Sequence, residues 1–152
     1  ISMTQRLDHF KADPKLLNSV LDLNNAVQSC GLEASILHLV KLRASQINGC
    51  SYCVEMHSRE ARNDGETEQR LYLVSAWKES SLFSSRERAA LEWTERLTRV
   101  AEGEITEQHV NDLRREFSEA EITRLTVAIS MINTWNRLAI SAAMQHPVAQ
   151  AA

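Results

Sequence analysis

The segment NGCSYCVEMH, residues 48–57, places two cysteines three positions apart and a histidine four positions beyond the second. Cysteine thiolates act as nucleophiles and as metal ligands, and an imidazole can accept a proton or bind a metal ion. The pattern C-x-x-C-x-x-x-H formed by Cys50, Cys53 and His57 therefore indicates a redox centre or a metal site. The remaining alternative is a small apolar pair packed in a core beside a surface histidine.

The break at Gly49 predicts that Cys50 lies in the first turn of a helix that runs to about Arg62. In such a helix Cys50, Cys53 and His57 share one face, within an arc of roughly 60°. An unperturbed thiol, with a pKa of about 8.5, is mostly protonated at neutral pH, so a reactive cysteine needs a lowered pKa. The helix dipole would act mainly on Cys50, whereas the imidazole of His57 leans back toward Cys53. Spacing alone leaves the attacking sulfur open.

Helical periodicity runs through the whole sequence, and the four glycines fall between the periodic segments. No segment alternates between apolar and polar residues like a strand. The predicted helices begin or end at local signals, namely Pro14 before the first apolar stripe, Asn48-Gly49 after the second, and capping boxes at Ser84 with Glu87 and at Ser118 with Glu121. The patterns predict an all-α protein.

The last predicted helix lies within ITRLTVAISMINTWNRLAISAAM, residues 122–144, and is apolar around much of its circumference. A helix of this kind in so small a protein is typical of a central core helix or of a subunit interface. Buried polar groups need hydrogen-bond partners, so its polar cluster is expected to bind a neighbouring helix or a second subunit. The cluster consists of Asn133, Trp135, Asn136 and Arg137.

Length and charge restrict the class of protein. A chain of 152 residues is expected to form one domain, residues 1–152, with Ile1 and Ser2 before Met3 interpreted as an artificial remnant of expression. The net charge of −3 is spread over intermingled basic and acidic side chains. Because no basic stripe follows from this distribution, nucleic acid is not an expected partner.

Hydropathy and cysteine usage predict the compartment. No apolar run is long enough to cross a bilayer, so we expect no membrane association and a cytoplasmic protein. Three cysteines in a reducing compartment do not suggest a framework of structural disulfides. The C-x-x-C pair is therefore expected to be catalytic or metal-binding, and Cys30 is expected to be a buried or idle thiol.

The segment LVKLRASQINGCSYCVEMHSREARNDGETEQRLYLVSAWKE (39–79), together with INTWNRLAI (132–140), resembles the alkylhydroperoxidase AhpD-like branch of the carboxymuconolactone decarboxylase family. The resemblance extends from about Leu32 to Ala142 and is most specific over residues 41–57. It implies an all-α, AhpD-like helical bundle with a single domain. It also implies assembly into a homo-oligomer, which could be a dimer, a trimer or a hexamer.

The resemblance further implies an antioxidant thiol peroxidase that reduces hydroperoxides. By position, Cys53 would be the peroxidatic cysteine, Cys50 the resolving cysteine and His57 the base of a proton relay. Cys53 would be oxidised to a sulfenic acid by the hydroperoxide and would then form a disulfide with Cys50. An external dithiol reductant would restore the pair, and no metal or bound organic cofactor is required.

One position departs from the family pattern. Members usually carry a glutamate twelve residues ahead of the first cysteine, as a further member of the relay, and this chain has His38 there. Glu33 is a poor substitute because it lies five residues earlier and hence on a different helix face. An imidazole is a competent base near neutral pH, so His38 is predicted either to replace the carboxylate or to mark a relay that no longer works.

Two other kinds of function fit the residues. One is a general dithiol-disulfide oxidoreductase without a preference for peroxide. The other is a structural or zinc-stabilised oligomer in which His38 completes a Cys2His2 set with Cys50, Cys53 and His57. Decarboxylation of a lactone is disfavoured, because a C-x-x-C pair has no evident use in that reaction.

Overall fold

The computed structural model describes residues 3–150, and within that range the chain forms eight α-helices and two short 3-10 helices but no β-strand. The α-helices are α1 (His9–Ala12), α2 (Pro14–Gln28), α3 (Ala34–Asn48), α4 (Ser51–Asn63), α5 (Glu68–Leu73), α6 (Ser85–Thr98), α7 (Glu107–Arg114) and α8 (Glu119–Ala142). The 3-10 helices are Val74–Glu79 and Val100–Glu102. The prediction of an all-α fold is confirmed. Residues 1 and 2, interpreted above as a remnant, lie outside the described range.

Local capping signals explain where the helices begin. Both predicted capping boxes form at the starts of α6 and α8: the Ser84 and Ser118 hydroxyls each accept the backbone N–H three residues on, and Glu87 and Glu121 bond back to the cap. A third box opens α7, where the imidazole of His109 takes the place of the usual glutamate. These bonds satisfy N–H groups that a helix start otherwise leaves unpaired.

Helix α3 occupies the centre of the bundle and packs against α4, α6 and α8. Its side chains are buried on nearly every side of the helix: Ile36, Leu37, Leu39, Val40, Lys41, Leu42, Ala44 and Ser45. Because α3 is surrounded, any polar group that it carries must face another helix or an internal space. This placement puts Lys41 and Ser45 next to the elements that build the site.

Two apolar clusters flank α3. One joins α2, α3, α6, α7 and α8 and includes Trp93, Leu125 and Ile129. The other joins α3, α4, α5 and α6 and includes Trp77. Helix α8 contributes its inner face to the first cluster and packs against α2, α3, α4, α6 and α7. Its outer face leaves Ile140 45% exposed. One face of the last helix therefore belongs to the core, and the other is partly exposed.

None of the helices formed by residues 3–150 is long and apolar enough to span a membrane.

Candidate active site

The turn between α3 and α4 sets the position of the cysteines. Gly49 ends α3 in the left-handed region, with φ of 70°, which glycine adopts without the steric penalty that a side chain brings. The N–H of Cys50 then donates to the carbonyl of Ser45 at 3.0 Å. Cys50 becomes the N-cap of α4, so the helix begins at Ser51, just after the cysteine that was predicted to lie in its first turn. The turn therefore delivers both cysteines to one end of α4.

Cys50 and Cys53 are joined by a disulfide, and their Cα atoms lie 5.3 Å apart, within the usual range for such a bond. The Cys50 sulfur accepts the backbone N–H of Cys53 at 3.3 Å, as the capping side chain of α4. The two residues are 2% and 1% exposed. The pair is thus enclosed, and a reactant must reach it through the interior of the protein.

A partly open cavity of about 530 Å³ provides that access, and we name it the Cys53 cavity. It is lined by α2, α3, α4, the end of α8 and the N-terminal segment, residues 5–10. Cys53 and His57 lie in its wall, whereas Cys50 does not. Most of the wall is apolar and includes Leu17, Met56 and Leu138. The space has the size and character of a site for a small apolar molecule.

The N-terminal segment closes one side of the Cys53 cavity. The ring of Phe10 stacks on Trp135 of α8 with 6.2 Å between centroids, and the N–H of Arg6 donates to the carbonyl of Ala142 at 2.7 Å. Nε2 of His9 and the hydroxyl of Ser141 form a hydrogen bond of 3.0 Å. These contacts hold residues 5–10 across the end of α8 and separate the cavity from solvent on that side.

His57 is buried and hydrogen-bonded within α4. Its Nδ1 lies 3.3 Å from Oε2 of Glu60, and its Nε2 is enclosed without a hydrogen-bond partner among residues 3–150. Burial lowers the pKa of His57 because it disfavours the charged imidazolium, and the bond to Glu60 partly opposes this. The same bond lowers the pKa of Glu60. A neutral imidazole beside an ionised carboxylate is the arrangement expected of a proton acceptor.

His38 pairs with a residue that the sequence did not indicate. Its Nε2 lies 2.6 Å from Oδ2 of Asp64, the residue that follows α4, and no hydrogen bond joins it to His57. It is not part of the wall of the Cys53 cavity, although its charge contributes to lowering the pKa of His57. Glu33 pairs with Arg86 at 2.9 Å, so it is not a substitute for the missing glutamate. A role for His38 in catalysis remains a prediction.

No group of three or more His, Cys, Asp and Glu side chains within residues 3–150 has the geometry to hold a metal ion. The Cys2His2 set that the sequence allowed is therefore not assembled in this structure, since His38 binds Asp64 and the two cysteines bind each other.

Asn133 and Asn136 of the polar cluster of α8 are tied to the end of α3, as the sequence predicted for a neighbouring helix, whereas Arg137 donates back to Asn133 within α8. The side-chain amide of Asn48 donates to Oδ1 of Asn133 and of Asn136, each at 2.9 Å. The amide of Asn136 donates in turn to the hydroxyl of Ser45 at 3.0 Å. Because Ser45 also accepts the N–H of Cys50, these bonds fix the register between α8 and the turn that carries the cysteines.

Two charged residues of the site, the buried Lys41 and the partly exposed Glu60, were not predicted. Lys41 and Glu60 both line the Cys53 cavity, and Lys41 is 3% exposed. A signal for Lys41 existed in the sequence, because a lysine within the apolar run that follows His38 is unusual for a core helix. A signal for Glu60 was its position three residues after His57, where helical side chains meet.

These features define a class of protein: an all-helical bundle in which an enclosed C-x-x-C disulfide and a histidine adjoin an apolar cavity. The sequence profile of the carboxymuconolactone decarboxylase family matches residues 14–96. The chain belongs to the carboxymuconolactone decarboxylase family, and within it to the AhpD-like proteins, as the sequence resemblance implied.

Similar proteins cover nearly the whole chain. The uncharacterized protein YdfG of Bacillus subtilis is 33% identical over 139 residues, which span 91% of this chain and 95% of YdfG. A solved structure from Agrobacterium tumefaciens, a protein of unknown function described as a candidate antioxidant defence protein AhpD, is 46% identical with a TM-score of 0.93. That match covers 96% of this chain and 100% of the other.

The fold is also shared with a debrominase. The apo structure of the debrominase Bmp8 matches with a TM-score of 0.79 at 17% identity, over 91% of this chain and 74% of Bmp8. At this identity the likeness shows the fold alone.

Proposed function

We propose that the protein is a thiol peroxidase that reduces hydroperoxides at the Cys50–Cys53 pair. The observation that carries this proposal is the unequal placement of the two sulfurs: Cys53 lies in the wall of an apolar cavity beside His57, and Cys50 lies behind it. A hydroperoxide with an apolar body can occupy such a space and meet only one of the two cysteines.

The proposed reaction starts from the reduced pair. The thiolate of Cys53 attacks the terminal peroxide oxygen, the O–O bond breaks, and the sulfur becomes a sulfenic acid while the leaving alkoxide takes up a proton. The thiol of Cys50 then displaces water from the sulfenic acid and forms the disulfide. Two thiols of an external dithiol reduce this disulfide, so that one peroxide and one dithiol are consumed in each cycle.

We assign the proton transfers to His57. Its lowered pKa keeps the imidazole neutral and able to accept the proton of the Cys53 thiol, which it can return to the leaving alkoxide. Glu60 would hold the ring in place and stabilise the imidazolium that forms, because it bonds to Nδ1. Nε2, which has no partner within the described range, is the atom free to exchange the proton. His38 would act from outside the cavity, where it is hydrogen-bonded to Asp64.

Enclosure of the pair favours a peroxidase over a general dithiol-disulfide oxidoreductase. Exchange with a protein disulfide requires the attacking sulfur to approach a second sulfur in line, and both cysteines are almost fully buried. The dithiol that reduces the protein must accordingly be small or carried on a flexible arm that enters the cavity. A transient catalytic disulfide of this kind fits the cytoplasm, where thiols are kept reduced. We include a homo-oligomer in the proposal, to be tested by light scattering of the purified protein.

The test is a single-turnover oxidation. Protein reduced with dithiothreitol and freed of reductant is mixed with an equimolar amount of cumene hydroperoxide, and peroxide loss and disulfide formation are followed together. We expect equal amounts of both, with the peptide that carries Cys50 and Cys53 lighter by about two hydrogens. Reduction of a small disulfide faster than reduction of the peroxide would favour the oxidoreductase instead. Two thiols that stay alkylatable after peroxide treatment would contradict both proposals.

A further inference from the structure

Lys41 lies on α3 directly opposite the catalytic face of α4. The two helices run antiparallel, since His38 near one end of α3 bonds to Asp64 beyond the end of α4, and Ser45 near the other end bonds to Cys50. Lys41 falls between these two levels, which puts it across from His57. It is buried, and it lines the Cys53 cavity together with Cys53 and His57.

The ammonium of Lys41 has no partner among residues 3–150: it makes no hydrogen bond, and no carboxylate lies within ion-pair distance. The contrast within α3 is clear, because Arg43, two residues on, pairs with Glu95 at 2.9 Å. Unlike Nε2 of His57, the nitrogen of Lys41 is not among the fully enclosed polar atoms without a partner. The space that remains open beside it is the Cys53 cavity.

A buried cation without a partner is unfavourable, so its presence needs an explanation. Loss of hydration lowers the pKa of Lys41, and the charge of Glu60 only partly opposes this. Glu60 is not a close partner, because its carboxylate bonds to His57 and does not come within ion-pair distance of Lys41. The other carboxylate in the wall, Asp8, caps α1 and pairs with Lys11. An anion that enters the cavity would supply the missing partner.

The other residues of the cavity wall indicate what kind of molecule would carry that anion. Its walls are the apolar side chains of Leu17, Leu21, Trp135, Leu138 and Ala139. Such walls bind hydrocarbon and discriminate little by shape, whereas a single buried cation fixes the orientation of a ligand. The reactive cysteine and the cation therefore face one apolar space from two neighbouring helices.

We propose that the preferred substrates are hydroperoxides with an apolar body and a carboxylate, and that Lys41 binds this carboxylate while the peroxide reaches Cys53. The inference rests on the peroxidase function proposed above and adds the substrate class. Fatty-acid hydroperoxides and aryl hydroperoxides that bear a carboxylate have this chemistry. The reaction at sulfur is unchanged, and the carboxylate is neither formed nor consumed.

The test compares two substrates that differ in one charge. These are cumene hydroperoxide with a para-carboxylate and the methyl ester of the same compound. For each protein the measured quantity is the ratio of kcat/KM for the acid to kcat/KM for the ester, which does not depend on the basal activity of a variant. In the parent we expect a ratio of about ten or more, which is the worth of one hydrogen bond to a charged group.

Three variants locate the effect. Lys41→Met keeps the length and the apolar contacts of the side chain, and the ratio should fall to about one because the charged bond is lost. Lys41→Arg keeps the charge and should retain part of the preference. Lys15→Met removes an exposed lysine of α2 and should leave the ratio at the parent value. A Lys41→Met protein with the parental ratio would overturn the inference.

A binding measurement on the unreactive disulfide form tests this inference independently of the peroxidase function. Titration calorimetry of the disulfide form with para-isopropylbenzoate and with its methyl ester should show tighter binding of the acid, abolished by Lys41→Met. If neither hydroperoxide is reduced, the peroxidase function fails, and a preference for the acid in this titration would still establish the anion site. If Lys41→Met slows the acid and the ester equally, Lys41 serves the Cys53 thiolate and the inference is wrong.

Discussion

Nδ1 of His57 lies 3.3 Å from Oε2 of Glu60, one turn further along the same helix. The carboxylate that orients this imidazole is thus supplied by α4 itself. The family pattern would place a glutamate at position 38 of α3, and there the imidazole of His38 binds Asp64 instead. Since a neutral imidazole needs a partner on one nitrogen to present the other, the pairing of His57 with Glu60 gives the proposed proton relay a different layout.

We predict that Glu60→Gln slows oxidation of Cys53 by roughly tenfold, less than the loss of an acid-base group itself. The hydrogen bond and the charge of Glu60 both raise the pKa of His57. Removing the charge should lower that pKa further, so the acid limb of the pH-rate profile should move to lower pH while the plateau rate falls. Stopped-flow oxidation of the reduced protein across pH 5 to 8 measures both changes.

Glu55→Gln is the matched control for Glu60→Gln. Glu55 lies on the same helix, pairs with Arg59 at 3.1 Å and is not part of the wall of the Cys53 cavity. The same loss of charge there should leave the acid limb in place, because a partly exposed ion pair is screened by solvent and contributes little to the field at His57. An equal displacement of the limb in both variants would contradict an orienting role for Glu60.

Stability should depend on pH through His57. Its pKa in the folded protein is lowered by burial, so the unfolded chain binds more protons between that lowered value and the ordinary value of about 6.5. The free energy of unfolding should therefore rise with pH across this window and fall as the protein is acidified. In His57→Gln this part of the slope should vanish.

Urea unfolding of the disulfide form at several pH values above 5 measures the slope. Glu60, whose pKa is also lowered, loses its contribution only when its carboxylate protonates, below about pH 4.5, and so does not interfere in this range. Titrating groups common to both proteins cancel in the comparison. A slope that is the same in the parent and in His57→Gln would show that His57 is not buried in its neutral form.

The two cysteines should respond differently to substitution, because only Cys53 lies in the wall of the cavity. Cys53→Ser should abolish peroxide reduction. Cys50→Ser should permit one oxidation and then stop at a sulfenic acid on Cys53 that dimedone traps, with the adduct identified by peptide mass spectrometry. Activity retained in Cys53→Ser, with the adduct on Cys50, would reverse the two roles.

Helix boundaries near the site were predictable because their signals are local. Gly49 ends one helix, and the capping boxes at Ser84 and Ser118 begin two others, through hydrogen bonds that span only a few residues. The box at Thr106 was missed because His109 stands where the usual pattern has a glutamate or glutamine. Polar partners of α8 were predicted as a requirement, since a buried amide needs them, but their identity depends on which helix packs there.

Only the site residues that belong to one helix could be grouped from the sequence. Periodicity alone predicts that Cys50, Cys53 and His57 share one helix face, and the structure bonds Cys50 to Cys53 and places Cys53 and His57 in the wall of one cavity. The involvement of Lys41 depends on the antiparallel packing of α3 on α4, which periodicity cannot give. The partner of His38 depends on where the chain turns after α4, at Asp64.

Gly49→Ala should destabilise the protein by about 1–2 kcal/mol. The cost comes from the backbone, since φ is 70° and a Cβ there would meet no atom within 4 Å. Gly49→Asn should cost less because asparagine tolerates the left-handed region. The control is Gly103→Ala, where the backbone is extended and a Cβ also has open space. Equal unfolding free energies for the two alanine variants would contradict this account.

The last prediction concerns the residue at which this chain leaves the family pattern. Restoring the usual glutamate with His38→Glu would place a carboxylate against Asp64, whose Oδ2 now lies 2.6 Å from the imidazole of His38. Two carboxylates so close repel each other and hold a proton more tightly. We expect His38→Glu to unfold at lower urea concentration than the parent near neutral pH and to recover when Asp64→Asn is added. Asp64→Asn alone should change stability by no more than about 1 kcal/mol, because Asp64 is largely exposed.

The role of His38 in the reaction is therefore best measured in the Asp64→Asn background. If His38 supports proton transfer, His38→Ala in that background should slow oxidation of Cys53 by roughly a hundredfold. His38→Glu should restore the rate and move the acid limb to lower pH, since a carboxylate loses its proton about two pH units below an imidazole. Circular dichroism and light scattering check that each variant keeps its helices and its assembly. A folded His38→Ala protein as fast as its background would show that His38 serves only to bind Asp64, and that His57 with Glu60 is the whole relay.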